Sequence, residues 1–309
     1  MEYKDWLSVW LENYVKPTTK KRTYERYSQI VKQHILKELG GEQINELTAL
    51  KLQKFVTDLM RRGNLRTGKG LAPNTVNGII NVLQNSLKSA FLLGETSEYA
   101  GNRIKRPRSR EKQVTCFALQ EQKKLESAIL ADKRHKMFGV VLCLYLGLRV
   151  GELLALKWDD IDFAKGTLTV SRTCYDGRDE NGKICRIEDA PKTVSSRRVI
   201  PLPRQILKLL KKHKKRCNSE YIISQRGNPI YVRSYQMSFD LMLKKLKIEH
   251  RGFHSLRHTF ATRALECGMD VRTLAEILGH KNPTITLNRY SHSMMDHKKE
   301  MMNKLGKML

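Results

Sequence analysis

His254-Ser255-Leu256-Arg257-His258 is followed by Leu278-Gly279-His280 and then by Asn288-Arg289-Tyr290-Ser291-His292, so one tyrosine is surrounded in sequence by cations. An unperturbed phenol, with a pKa of about 10, is ionised to about one part in a thousand at neutral pH, a deficit of roughly 4 kcal/mol. Positive groups and a base can remove that deficit. The same groups would neutralise a phosphate under attack. The stretch therefore sets up the expectation of a tyrosine that attacks DNA.

Composition points the same way. The 309 residues suit one large or two ordinary domains with full hydrophobic cores. Lys and Arg total 58 against 31 acidic residues, a formal net charge of +27 with a pI near 9.9. A polyanion is the expected partner, and nucleic acid leads. An acidic membrane surface competes, but the basic residues are spread along the chain and not gathered in one amphipathic or juxtamembrane cluster. Cys116, Cys143, Cys174, Cys185, Cys217 and Cys267 form no Cys-x-x-Cys pair, so neither a zinc site nor a disulfide framework is indicated. They read as reduced thiols. The beginning, Met1-Glu2-Tyr3-Lys4-Asp5-Trp6, has no apolar signal region, and the longest apolar run, 137–148, is too short to span a bilayer. A cytoplasmic protein, nucleoid-associated when bound to DNA and without membrane contact, is expected.

The first third reads as four helices in a bundle. Trp6, Leu7, Trp10, Leu11 and Tyr14 repeat at helical spacing; further stretches run from Thr18 to a stop at Gly40-Gly41, over 47–59, and to about Leu93, the last expected to be capped by Asn74-Thr75. A glycine-rich basic loop, 61–70, separates the last two. Over 102–111 the apolar periodicity disappears and Arg103, Lys105, Arg106, Arg108 and Arg110 surround Pro107. Such a segment is either a linker lying along a phosphate backbone or a solvated tether. Helices are then expected at 118–131, 136–146 and 150–156. Short β-rich pieces follow at 167–172 and 197–200, separated by polar and glycine turns around 176–183, before helices resume at 207–215, 234–246, 255–267 and 271–278.

Leu146-Gly147-Leu148-Arg149-Val150-Gly151-Glu152 puts a guanidinium where an apolar helix breaks at glycine. It can offer two parallel donors to phosphate oxygens, and Glu152, on the same face if a helix continues, can hold it; a structural salt bridge is the competing reading. Pro191-Lys192-Thr193 places an ammonium at a turn before a strand, where it could act as a general acid or be a surface lysine. His254 and Arg257, three apart, share a helical face. His254 and His258 are spaced for a metal, but no third ligand lies close by in sequence, so no metal is expected; His258 reads as a buried structural residue. His280 follows a helix end, where dipole pairing alone would explain it, and Tyr290 by itself could be a core aromatic.

Taken together, and in this order, these segments closely resemble the boxes of the tyrosine recombinase, or phage integrase, family. The carriers are Gly147-Leu148-Arg149-Val150-Gly151-Glu152, Pro191-Lys192-Thr193 with Ser196, Arg198 and Ile200-Pro201-Leu202, His254-Ser255-Leu256-Arg257-His258-Thr259-Phe260-Ala261-Thr262, and Leu278-Gly279-His280 with Tyr290. The resemblance implies a mainly α protein: an N-terminal four-helix, SAM-like core-binding domain at 1–101, a basic linker at 102–112, and a mostly helical α+β catalytic domain with a small antiparallel sheet at 113–309. It implies type IB strand transfer without metal or nucleotide cofactor. Tyr290 would attack the scissile phosphate to give a 3′-phosphotyrosine. Arg149 and Arg257 would hold the non-bridging oxygens, and Lys192 would protonate the leaving 5′-oxygen. His254 would assist proton transfer at Tyr290, His280 would donate to the phosphate, and Glu152 would orient the arginines. Lys20, Lys21, Arg22, Arg66, Lys69, Arg103, Lys105, Arg106 and Arg108 are expected to contact double-stranded DNA. The Met-rich tail, 292–309, would dock in trans to give a homo-tetramer on paired sites, or pack on its own domain. DNA-bending or excision proteins fit the same reading as accessory partners.

Two departures stand out. The chain begins almost directly at the first bundle helix, which leaves no room for the arm-binding domain of many mobile-element integrases, whether by design or by truncation. Gly94 to Gly101 is also more polar than the family's usual loop. The rivals to integration or excision of a mobile element are a type IB topoisomerase and a catalytically silent DNA-binding accessory factor.

Overall fold

The computed structural model describes residues 1–109, 115–132, 136–189 and 197–280, with Asn282, Thr284, Met302, Asn303 and Gly306. Lys192, Tyr290 and the expected docking tail other than Met302, Asn303 and Gly306 lie outside the described residues. The chain divides into two compact units, 1–112 and 113–309.

In the first unit, helix α1 (Tyr3–Trp10) continues through a π-helical turn, and α2 (Lys21–Ile30) does the same through Val31–Ile35. Helices α3 (Ala49–Arg62) and α4 (Pro73–Leu92) complete the bundle. Apolar residues at helical spacing, among them Trp6, Ile35, Phe55, Ile80 and Leu83, form its core. The polar handles of the aromatics land on α4: Trp6 Nε1 donates to the Ser86 carbonyl at 3.1 Å and Trp10 Nε1 to Ser89 Oγ at 3.1 Å. Asn74 and Thr75 do not cap α4. The helix starts one residue earlier at Pro73, whose fixed φ suits the first helical position and whose missing N–H would have gone unpaired there.

The second unit is mainly helical. Helix α5 (Leu119–Ala131) precedes α6 (Phe138–Leu146), which is buried nearly all round; the long apolar run of the sequence is thus a core helix. No helix among the described residues is long and apolar enough to cross a membrane. A short helix α7 (Val150–Leu154) leads to an antiparallel sheet in which β1 (Ile161–Asp162), β2 (Thr167–Val170) and β5 (Arg198–Pro201) are ordered β1-β2-β5. Helices α8 (Arg204–Lys214), α9 (Val232–Lys245), α10 (His254–Glu266) and α11 (Val271–Leu278) follow.

The polar stretch around Asp176 is not merely a turn. It forms a second hairpin, β3 (Thr173–Arg178) with β4 (Ile184–Asp189), registered from Thr173 opposite Asp189 to Arg178 opposite Ile184. Asp176 lies within β3, and its carboxylate accepts from the Val232 and Arg233 backbone N–H groups at 2.9 and 2.8 Å. A residue that reads as turn-forming is a strand residue capping the first turn of α9 from another element.

Candidate active site

Two helix ends build the site. Helix α6 ends at Gly147 (φ +63°) and α11 at Gly279 (φ +64°), both left-handed, a region that L side chains enter only at a cost. The His280 N–H donates back to the Ala275 carbonyl at 3.0 Å, closing the turn that ends α11. A Cβ on Gly147 would stand 2.5 Å from Phe260 Cδ1 and 2.8 Å from Leu278 Cδ2. Gly147→Ala is therefore expected to cost about 2–4 kcal/mol, from backbone strain plus overpacking, read as a lower urea midpoint; an unchanged midpoint would refute this account.

Arg257 is 2% exposed and joins both helix ends: Nη1 donates to the Gly147 carbonyl at 2.8 Å and Nη2 to the Leu278 carbonyl at 2.6 Å. Carbonyls in the last turn of a helix lack intrahelical donors and carry the negative end of its dipole, so a buried guanidinium is well placed between them.

Arg149 is held differently. It precedes α7 in extended conformation, so its pairing with Glu152 is not that of two residues on one helical face. Glu152 accepts from the Arg149 backbone N–H at 3.0 Å and from Nη1 at 2.6 Å, fixing both ends of the residue. Arg149 Nη2 reaches the Gly279 carbonyl at 3.3 Å. The Glu152 side chain is 5% exposed and that of Arg149 37%, so the arginine is the accessible member.

His254 is the exposed first residue of α10, and Arg257 lies one turn on, turned into the core. His258 is half-buried, its ring edge-on to His254 with centroids 4.6 Å apart. His280 is half-buried immediately after Gly279. Among the described residues, no group of three His, Cys, Asp or Glu side chains could hold a metal ion.

Sequence reasoning passed over the part played by Arg198. It opens β5, and the strand's two-residue period puts it on the buried face with Ile200 while Val199 points outward. A charged residue at an inward strand position was the available signal, since charged side chains are almost never fully buried unpaired. Its Nη1 and Nη2 donate to Glu152 Oε1 and Oε2 at 3.1 and 2.9 Å, and its Nε to the Ile277 carbonyl at 2.6 Å.

The expected DNA contacts of the first unit, Lys20, Lys21, Arg22, Arg66, Lys69, Arg103, Lys105, Arg106 and Arg108, are all exposed. Arg66 and Lys69 sit on a loop organised by Asn64, whose side-chain oxygen accepts from the Arg66 and Thr67 N–H groups at 3.1 and 3.2 Å. Residues 101–107 are pinned to α3 and α4: Gln84 donates to the Gly101 carbonyl, Gln53 accepts from the Lys105 N–H, and Asn77 donates to the Pro107 carbonyl. Arg106 donates to Asn81 and Gln84 at 2.7 and 2.5 Å, and Arg103 pairs with Glu98 at 2.9 Å. Those two cations are partly committed to protein.

Residues 113–297 match the phage integrase family, and residues 2–60 match the phage integrase N-terminal SAM-like domain. A tyrosine recombinase XerC-like protein of Caldanaerobacter subterraneus subsp. tengcongensis is 29% identical over 334 residues, covering 98% of this chain and 82% of the relative. The transposase from transposon Tn916 of Enterococcus faecalis is 30% identical over 212 residues, covering 62% of this chain and 51% of the relative. Among solved structures, the Tn1549 transposon integrase in complex with a circular intermediate DNA superposes with a TM-score of 0.80 at 22% identity, covering 99% of each chain. A SAM-like helical unit followed by a mainly helical unit with clustered guanidiniums defines the class of tyrosine site-specific recombinases. The chain belongs to the phage integrase family.

Proposed function

We propose that this recombinase integrates or excises a mobile element, cutting and rejoining double-stranded DNA through a 3′-phosphotyrosine and a Holliday junction. One observation carries the reading: Arg149 and Arg257, from separate boxes, donate to the neighbouring carbonyls of Gly279 and Leu278, directly before His280. Two guanidiniums fixed in advance supply charge stabilisation without reorganising during reaction, which is usually the largest catalytic contribution.

In this reading Tyr290 attacks the scissile phosphorus, its proton passing with the help of His254. Arg149 and Arg257 hold the non-bridging oxygens as charge grows, and His280 donates to the same phosphate. Lys192 gives a proton to the departing 5′-oxygen. The phosphodiester energy stays in the tyrosyl ester, so attack by the 5′-hydroxyl of a partner duplex reverses the step. Glu152 acts on Arg149 and does not touch DNA.

Residues 1–101 form the core-binding domain, 102–112 the basic connection and 113–309 the catalytic domain. The basic residues of the first unit track phosphates. Four protomers on two paired sites give the closed symmetry that two-duplex exchange requires, with residues 292–309 docking between neighbours. Accessory DNA-bending or excision proteins act on that assembly in the cytoplasm.

The deciding experiment incubates the protein with nicked suicide duplexes taken from DNA flanking its gene and looks for a covalent adduct. Absence of adduct on every flanking site would sink the proposal, whereas relaxation of a plasmid without any special site would favour a topoisomerase. Binding is expected to be steeply salt-dependent: if about ten phosphates are neutralised, log affinity falls with log salt at a slope near −9. A slope near zero, measured by titrating labelled duplex at several salt concentrations, would count against DNA as the partner.

A further inference from the structure

Three successive carbonyls at the end of α11 accept from three different arginines. Ile277 accepts from Arg198 at 2.6 Å, Leu278 from Arg257 at 2.6 Å and Gly279 from Arg149 at 3.3 Å. The next residue is His280. The Arg198 guanidinium also donates to both oxygens of Glu152, the carboxylate that holds Arg149 by backbone and side chain. One guanidinium, contributed by a strand, thus touches the arginine box and the helix that leads to His280. Lys192 stands six residues before it in the chain.

We propose that Arg198 is a positioning residue for strand cleavage: it sets Arg149, through Glu152, in register with the carbonyl end of α11 and so with His280. This rests on the recombinase reading above. Arg198 does not touch the phosphate in this role. It determines where a group that does touch it is held.

A stabilising ion pair alone accounts poorly for the arrangement. Buried ion pairs contribute little net stability compared with well-packed apolar residues, because desolvation offsets the attraction. Glu152 already has Arg149 as a counter-ion, and a second, more deeply buried guanidinium adds positive charge that its burial disfavours. What the second guanidinium adds is geometry. Its planar fork spans both carboxylate oxygens while Nε reaches a carbonyl on another helix, which removes the freedom of the Glu152 carboxylate to turn.

The test uses the full chain on its nicked suicide duplex, with Arg198→Gln and Arg198→Lys. Single-turnover adduct formation is expected to slow about 100-fold in both variants, while half-saturation of DNA binding changes by less than about threefold. Lysine keeps the cation but cannot span the same three acceptors, so the Lys variant keeps the test informative if Gln at this buried position prevents folding. A substrate with a methyl group replacing one non-bridging oxygen of the scissile phosphate, which needs less cationic alignment, supplies the second readout. On it the defect is expected to shrink at least tenfold, a change that a merely structural residue would not produce. Equal defects on both substrates, parallel loss of binding and cleavage, or a lysine variant as fast as wild type would overturn the proposal. If the wild-type protein forms no Tyr290-dependent adduct, the recombinase reading fails instead, so the two failures are distinguishable.

Discussion

Tyr290→Phe is expected to abolish the covalent protein–DNA adduct on a nicked suicide duplex while leaving DNA affinity within about twofold of wild type. The substitution removes one oxygen, and with it the only atom of that side chain able to bond to phosphorus. A cation cannot take the place of the missing nucleophile, so the loss is complete and not graded. Affinity is expected to come from elsewhere: with a formal net charge of +27, phosphate contacts and counterion release should supply a large share of the binding free energy, which the loss of one phenol oxygen barely alters. The measurement is denaturing electrophoresis of labelled duplex beside an equilibrium titration of the same duplex. An undiminished adduct from the Phe variant would show that another residue is the nucleophile.

Glu152→Gln is the second large effect, and it reaches both stability and cleavage. The Glu152 side chain, 5% exposed, takes four hydrogen bonds from Arg149 and Arg198. Burial pushes its carboxyl upward, but the hydrogen bonds and charge of Arg198, with the charge and backbone N–H of Arg149, outweigh burial and hold it at about 2. Because the folded-state value lies below the unfolded one, the stabilisation is fully present above the ordinary carboxylate range. It is lost as pH falls through that range towards 2. At pH 7 the variant is expected to lose about 3 kcal/mol in urea unfolding. The gap between variant and wild type should fall to roughly half or less by pH 3, since the wild-type carboxylate is then giving up its advantage. Freed from its anchor, Arg149 should also let adduct formation slow about 100-fold. A stability gap that stays constant from pH 7 to pH 3 would mean that the carboxylate charge is not what the arginines use.

Much of the site was legible in the chain itself. The break of an apolar helix at Gly147, the cation two residues later, the spacing of His254 and Arg257 and the glycine before His280 are local patterns, and each element formed where its residues indicated. So did the apolar stripes that assemble the first unit. The β3–β4 hairpin was less visible, because Asp176 and Gly177 are poor strand residues on average and pair here only within a register closed by Asp179 to Lys183. Asp176 read as a turn residue because nothing in its neighbourhood shows that the start of α9, 56 residues on, lies within reach of its carboxylate.

Residue types, charge and short-range spacing by themselves determined the run of cations, the candidate nucleophile and the expected two-unit organisation, and the resemblance carried by the ordered boxes implied the family and its chemistry. Tertiary structure alone decided that Glu152 answers to two arginines and that three guanidiniums meet consecutive carbonyls at one helix end. The three arginine–carbonyl bonds join residues 21 to 130 positions apart, and which donor reaches which orphan carbonyl follows from how helices and strand pack, a geometry that spacing along the chain does not contain.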